Sequence, residues 1–599
     1  MVIGIVLQVI IVGGCLLLFT NAYAAQAVAA VPVWSVDPKS PGENLPPAGR
    51  SLFDFLVART TKGQAGYHIP YPFQALVQHI EAQLQIDESG MPPLKRALIP
   101  LGRSLQRNAA SPDFFKFPRV VAAVDAEPSS AQKFPGIFLK DRLYLGYQEK
   151  ANTIEVISYN EAAGRFEFQE VKDYRAGGEP KLFYANRTVC MSCHQNGAPI
   201  FAQPLWDETN ANPKIAALLK AEKRDFYGVK LNGGVDLPYF IDNATDRANL
   251  FSTYQLLWRS GCVAKGDSTG GTRCRADALT LMLQYRLSGS RRINADSALF
   301  RDSLVPELTK NWLSRWPGGL AIPNPNLPNR DPLTTAGTIP AELEPLNLRS
   351  PLEVWSMPNA AIIARFIDGL GSFIPETNIR ELDTHLFENR TRAMSHIRYR
   401  GSCEFVRKNI RATAYRLDFQ CREGAKAAQG VAMQGSMYIT SGKIERGVLD
   451  RLAFDGDEMT DLEITAGKLM RQANQQFALL KLTRRGLHAR RVDGNAIEHI
   501  TLRWHPSNAK KEFSGHVMAG EVDMTVADDF APLRAAITEL ERSSRGGNSD
   551  ALSSRSFRRA AIMPAVFEKL GIAAQPWCCL EAVSMQAPRL ETEAPGTAE

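Results

Sequence analysis

The chain has 599 residues, 44% of them hydrophobic and 22% charged, a folded-protein composition with material for an ample core and two to four domains. A formal net charge of +7 is mild for a surface this large; it fits an acidic partner or an anionic membrane surface, and otherwise serves solubility. No basic cluster is interleaved with aromatic residues, which argues against nucleic acid as a partner.

Residues 2–19 are almost wholly apolar, and Ala22-Tyr23-Ala24 is an A-x-A cleavage signal, so residues 1–24 read as a signal peptide. No Lys or Arg precedes the apolar run, and its length is close to a bilayer span, so an uncleaved anchor is the alternative. Either one puts the rest of the protein outside the cytoplasm. Cys15 follows Val12-Gly13-Gly14, but apolar Leu16 to Phe19 come after it, so it belongs to the hydrophobic segment and not to a lipidation site.

Ala25 to Arg50, rich in Pro and small residues, forms an extended lead-in. Phe73, Leu76, Val77, Ile80 and Leu84 share one helical face, and Met91-Pro92-Pro93 ends that stretch. Alternating residues over 153–159 and 165–171, joined by Asn160-Glu161-Ala162-Ala163-Gly164, predict a hairpin. Then comes Cys190-Met191-Ser192-Cys193-His194. Two thiols three positions apart and an adjacent imidazole are the spacing at which thioether bonds form to a porphyrin and a ring nitrogen ligates its iron. On residues 188–206 the chain resembles a c-type cytochrome.

Two other readings compete for the motif. Structural zinc wants a second Cys or His pair at short spacing, and the next cysteine, Cys262, is far away. A thioredoxin-like dithiol wants a strand-to-helix junction, which the flanks Asn186 to Val189 and Gln195 to Pro199 do not plainly supply. The resemblance implies one covalent haem c held by Cys190 and Cys193, with His194 as an axial iron ligand. Its second ring nitrogen is then expected to donate to a backbone carbonyl, with Pro199 or Pro204 the local suggestions. Leu182, Phe183 and Tyr184 are candidates to pack on the porphyrin edge. Met357, in a Met-Pro step ahead of a helix, is the distal candidate by resemblance, although Met91-Pro92 and Met563-Pro564 share the dipeptide. His68 and His516 read as surface or hydrogen-bonded residues.

Beyond the motif, Leu250, Phe251, Tyr254, Leu257 and Trp258 predict one amphipathic helix and residues 276–287 another. Besides Cys15 and the motif, six cysteines fall into neighbouring pairs: Cys262 with Cys274, Cys403 with Cys421, and Cys578 with Cys579. They suit an oxidising compartment, although six cysteines allow 15 connectivities. Gly266-Asp267-Ser268-Thr269-Gly270 matches a hydrolase elbow, but it sits in the Cys262 to Cys274 loop, where a polar loop explains it fully. Prolines 317, 323, 325, 328, 332, 340, 345 and 351 define a strap, and residues 360–370 resume helix. From His396 the period becomes two, as in Tyr415, Leu417, Phe419 and Cys421, in Ile500, Leu502 and Trp504, and in Val522, Met524 and Val526. Helix returns at 529–541 and 556–570.

The expected fold is α+β and multidomain: signal peptide or anchor 1–24, N-terminal α+β region 25–180, haem-bearing mainly helical region 181–395 with its Pro-rich strap 317–351, antiparallel β module 396–526, C-terminal helices 527–582 and tail 583–599. The expected function is single-electron transfer by an exported monohaem c-type cytochrome, periplasmic or secreted, with a redox protein as partner and membrane contact only through an N-terminal anchor. A peroxidase- or oxygenase-like haem enzyme with an open sixth iron position is the alternative, motivated by chain length, and a haem-containing binding or sensor protein is a third class.

Overall fold

The computed structural model describes residues 30–592 apart from 63, 87–89, 135, 232–233, 266–269, 289–296, 330, 334–346, 357–358, 389–395, 424–429, 455–456, 473–474, 483–494, 506–516, 529, 574–577 and 580–590. The signal segment, Cys15, the body of the Gly266 to Gly270 motif, Met357 and His516 therefore lie outside the described residues. No described helix is long and apolar enough to cross a membrane.

The fold is α+β and multidomain, built on two β systems. The first is a six-stranded antiparallel meander of Leu94–Ile99, Arg119–Val124, Leu143–Gln148, Thr153–Asn160, Arg165–Lys172 and Lys181–Tyr184, each strand paired with the next in the chain. The expected hairpin is its fourth and fifth strands. Side chains alternate between faces. One face carries Gln169 and Tyr184 toward the helix Leu52–Val57, where Gln169 donates to Asp54 at 3.2 Å, the Tyr184 hydroxyl donates to Asp54, and Ser51 caps the helix and donates to Gln169 at 2.7 Å. The helix Phe73–Glu81 buries Phe73, Leu76, Val77 and Ile80 in the same core.

The opposite face is roofed by Arg187–Cys193 and Asp236–Asn249. Beyond these, Phe251–Leu256 runs into a wider turn at Leu257–Gly261, and Thr272–Ser288 follows, joined back to it by the disulfide Cys262–Cys274. The ends of the strap are strands: Leu320–Ile322 pairs with Val33–Trp34 of the lead-in and with Glu353–Trp355. The C-terminal helices Ala531–Arg545 and Arg559–Leu570 return to this body. Phe557 packs on Trp258 at 4.9 Å, and Phe530, Leu533, Val566 and Phe567 belong to the same buried cluster as the sheet.

The second β system is a closed eight-stranded antiparallel barrel running from His396 to Asp528. Its first and last strands pair from His396 with Ala527 to Val406 with Val517, which leaves no edge. Eight strands enclose a space that side chains can fill, and here Phe405, Leu417, Met437, Leu449, Ile464, Leu502 and Trp504 occupy it as a core separate from the first. Cys403 and Cys421 face each other across adjacent strands and are bonded. The barrel thus interrupts a body whose core is completed by residues on both sides of it.

Candidate functional site

The last strand of the meander, Lys181–Tyr184, leads directly into the helix Arg187–Cys193. This is a strand-to-helix junction, which the flanking residues did not reveal, because only four residues of strand precede the turn. Asn186 caps the helix by accepting from the Val189 N–H at 3.2 Å. Arg187 fixes it against the body: its backbone N–H donates to Asn44 at 2.8 Å, and its buried guanidinium donates to the carbonyls of Pro41 at 2.5 Å and Phe166 at 2.8 Å. Cys190 and Cys193, three residues apart on about one turn, therefore share a side of the helix, and His194 ends it with its N–H on the Cys190 carbonyl at 2.9 Å.

Cys190, Cys193 and His194 all line one cavity of about 290 Å³, with Val189, 54% exposed, on its rim. The facing wall is the sheet. Gly146, Glu155 and Glu170 are cross-strand neighbours in one row, and Ile157 and Phe168 are neighbours in the next. The Phe168 ring lies 5.4 Å from the His194 imidazole. Ile241 and Thr245 of Asp236–Asn249 close another side. Of the expected edge residues, Leu182, Phe183 and Tyr184, none lines the cavity; Leu182 and Tyr184 point to the opposite face of the sheet, and Ile157, Phe168 and Ala185 take the place expected of them.

His194 Nδ1 is 2.9 Å from the Ala198 carbonyl. A carbonyl only accepts, so Nδ1 carries the proton and Nε2 keeps its lone pair. Burial holds the imidazole below its ordinary pKa, with the Ala198 bond opposing, so it is neutral and competent as a ligand near pH 7. The acceptor is thus Ala198, not Pro199 or Pro204. Gly197, in the left-handed region at φ +61°, donates to the His194 carbonyl at 2.7 Å, and this turn places the Ala198 carbonyl at the ring. The Pro199 carbonyl instead accepts from Asn249 Nδ2 at 3.1 Å, while Asn249 Oδ1 accepts from Asn196 at 3.0 Å. The strap clamps the other side: Arg349 donates to the Cys193 carbonyl at 2.7 Å and to Gln195 at 3.1 Å, and Gln195 donates to Asn347 at 2.8 Å.

The thiols differ in kind from the other described cysteines, which all form disulfides. Cys190 is pushed up to about 12 by burial, reinforced by Glu170 and Glu155. A redox-active cysteine needs its thiolate, so the electrostatics at Cys190 run against that reading. Among the described residues, no group of three or more His, Cys, Asp or Glu is arranged to hold a metal ion.

Sequence reasoning missed the charged groups in the cavity. Arg119 pairs with Glu155 at 2.5 Å, and Arg103 with Glu208 at 3.2 Å, the latter pair almost fully buried. Glu155 and Glu170 are readable as the odd members of an alternating hairpin, but the local pattern does not say which face meets the motif. Among the described residues that line the cavity there is no methionine, and His194 is the one histidine. His68 is exposed and lies elsewhere. The chain matches no family model, no curated protein and no solved structure.

Proposed function

We propose that this protein is an exported c-type cytochrome that carries one haem, bonded through Cys190 and Cys193 and ligated by His194, and that it passes single electrons to or from a redox partner protein. The carrying observation is that two thiols on one side of a helical turn, and an imidazole whose Nδ1 is already committed to a carbonyl, line a single cavity faced by Ile157 and Phe168. The chain's residues fit the group: two thiols outside any disulfide, a neutral ring with Nε2 left for iron, and a largely apolar wall. When bound, haem supplies a one-electron couple whose potential follows its axial ligands, burial and hydrogen bonds. The Ala198 carbonyl and the Phe168 ring orient His194, and Asn249 and Arg349 keep its loop in place. Three disulfides fit a periplasmic or secreted location, reached through the N-terminal signal or anchor.

One observation favours a second reading, a haem enzyme with an open sixth position: the described lining offers no second histidine or methionine, and it does offer charged couples. Protein made in a host that attaches haem to cytochromes tests both readings. Intact mass should show one added haem, lost in Cys190→Ser/Cys193→Ser. His194→Ala should keep the attachment but lose the native absorption spectrum. Carbon monoxide binding by the reduced protein supports the enzyme, and its absence the carrier. An unmodified mass sinks both.

A further inference from the structure

The outer wall of the barrel carries a row of cations that its packing does not require. Lys408, Arg416, Tyr438 and Arg446 are direct cross-strand neighbours on four consecutive strands, His396–Arg411, Ala414–Glu423, Val431–Thr440 and Lys443–Phe454. Leu417 and Met437 point into the core, so Arg416 and Tyr438, one residue away, point out. The row spans about 14 Å, three inter-strand spacings. Arg446 lies over the Tyr438 ring at 4.9 Å, and Arg416 reaches it at 5.7 Å. The adjoining row is Val517, Val406, Asp418, Ser436 and Val448. Asp418 is its one carboxylate; it takes Lys408 at 2.8 Å and Arg416 at 2.5 Å, whose side chains are 58% and 41% exposed. On the other flank, exposed Arg411 and Lys443 add two cations at the hairpin tips, and exposed Glu445 adds one carboxylate. Five cations thus share one wall with two carboxylates.

Aliphatic side chains lie among these charges: Val517 and Ile410 are 60% exposed and Val448 39%. The wall of a barrel is convex, with no pocket to seat the anchor residue of a folded partner, but it can rest on a flat, yielding surface. There the cations meet phosphate oxygens, the valine and isoleucine tips enter the acyl boundary, and the Tyr438 ring, apolar with a polar end, sits between them. We propose that this wall docks the barrel on an anionic phospholipid leaflet. The contact belongs to the barrel, apart from the N-terminal segment, and is independent of the haem reading. It keeps the protein at a membrane surface whether or not that segment is retained. Docking leaves Asp418 satisfied, because Lys408 and Arg416 keep donors to spare for phosphate.

The test is sedimentation of the full chain with two kinds of vesicle, phosphatidylcholine alone and an equal mixture with phosphatidylglycerol. An apolar N-terminal segment inserts in both alike, so the readout is the ratio of the two affinities. The anionic vesicles should be favoured, and the preference should fall as salt is added. Lys443→Gln/Arg446→Gln should lower the ratio about 25-fold, roughly 5-fold for each cation, which corresponds to about 1 kcal/mol per Lys or Arg near an anionic surface. Ile410→Ser/Val517→Ser should weaken binding to the anionic vesicles as well. These side chains are exposed, and the barrel core behind them is untouched. Lys214→Gln/Lys220→Gln, the same change of charge on the exposed side of the helix Pro213–Ala221, should leave the ratio as it is. Equal binding to both vesicles, no loss in the Lys443 and Arg446 variant, or the same loss in the helix control overturns the proposal. Capture of the chain by immobilised polyglutamate without a preference for anionic vesicles also overturns it, and assigns the wall to an acidic protein.

Discussion

Asn249→Ala probes the support of His194 without touching the motif. The Asn249 side chain is buried, donates to Pro199 at 3.1 Å and to Thr245 at 2.7 Å, and accepts from Asn196 at 3.0 Å. The Thr245 carbonyl also lies within the helix Asp236–Asn249, so the groups that lose a partner are the Pro199 carbonyl and one donor of Asn196. A buried polar group left without its partner costs about 1–3 kcal/mol; Asn196 Nδ2 also donates to the Asn249 backbone carbonyl, which the substitution keeps, so its loss is partial and the two together give about 2–4 kcal/mol of local destabilisation. One factor of ten corresponds to about 1.4 kcal/mol, so amide exchange in residues 194–199 should accelerate by roughly 30- to 1,000-fold. The assay is hydrogen exchange with peptide-level mass readout, and the barrel His396 to Asp528, with its separate core, is the internal control. Because the Ala198 carbonyl shifts with the loop, the haem-loaded variant should also show an altered absorption spectrum. Unchanged exchange at 194–199, with the substitution verified, would refute the claim that Asn249 holds this loop.

Two further outcomes follow from the same body of contacts. Asp54 is raised above the ordinary carboxylate range by burial, with the Tyr184 hydroxyl opposing, so the folded state prefers the protonated acid; its contribution to stability is complete below about pH 4 and declines as pH rises through the folded-state value. Melting of wild type against Asp54→Asn between pH 4 and 8 should therefore favour the variant increasingly as pH rises, and the opposite slope would refute the assignment. Removing the Cys403–Cys421 bond, which closes a separation of 18 residues, as Cys403→Ala/Cys421→Ala should cost the barrel about 3 kcal/mol on the chain-entropy account. Urea unfolding followed by amide exchange of the barrel peptides measures this, and a midpoint equal to that of the oxidised parent would count against the bond as a stabilising link.

Features set by local order were legible in the sequence. The hairpin was written in alternation around Asn160 to Gly164, the barrel strands in the period-two runs around Leu417, Leu502 and Val522, and the helix Phe73–Glu81 in its 3.6 spacing. Contacts that depend on chain return were not. Nothing near His396 announces that it pairs with Ala527, and nothing near Phe557 announces Trp258. The Ala198 acceptor was missed for a smaller reason: it depends on Gly197 adopting a left-handed conformation, whereas the proline carbonyls were suggested by resemblance.

The cavity wall shows why the motif alone underdetermined the site. Cys190, Cys193 and His194 specify what one helix presents, but the chemistry available depends on what faces them, and that is set by the register of a meander whose first strand begins at Leu94, far ahead of the motif in the chain. A shift of one residue in the pairing of Thr153–Asn160 would send Glu155 to the Asp54 side of the sheet and bring Ile154 or Val156 to the cavity. Glu170 and the Arg103–Glu208 pair would remain in the lining, but the Arg119–Glu155 couple would be lost from it. In the observed register, Gly146 opposite Glu155 leaves room for Arg119, and a charged couple with Glu170 beside it faces the motif from a wall that also carries Ile157 and Phe168. Arg119 and Glu155 are 20% and 32% exposed and so keep contact with water, which limits the desolvation cost of the pair while its charges still act on His194.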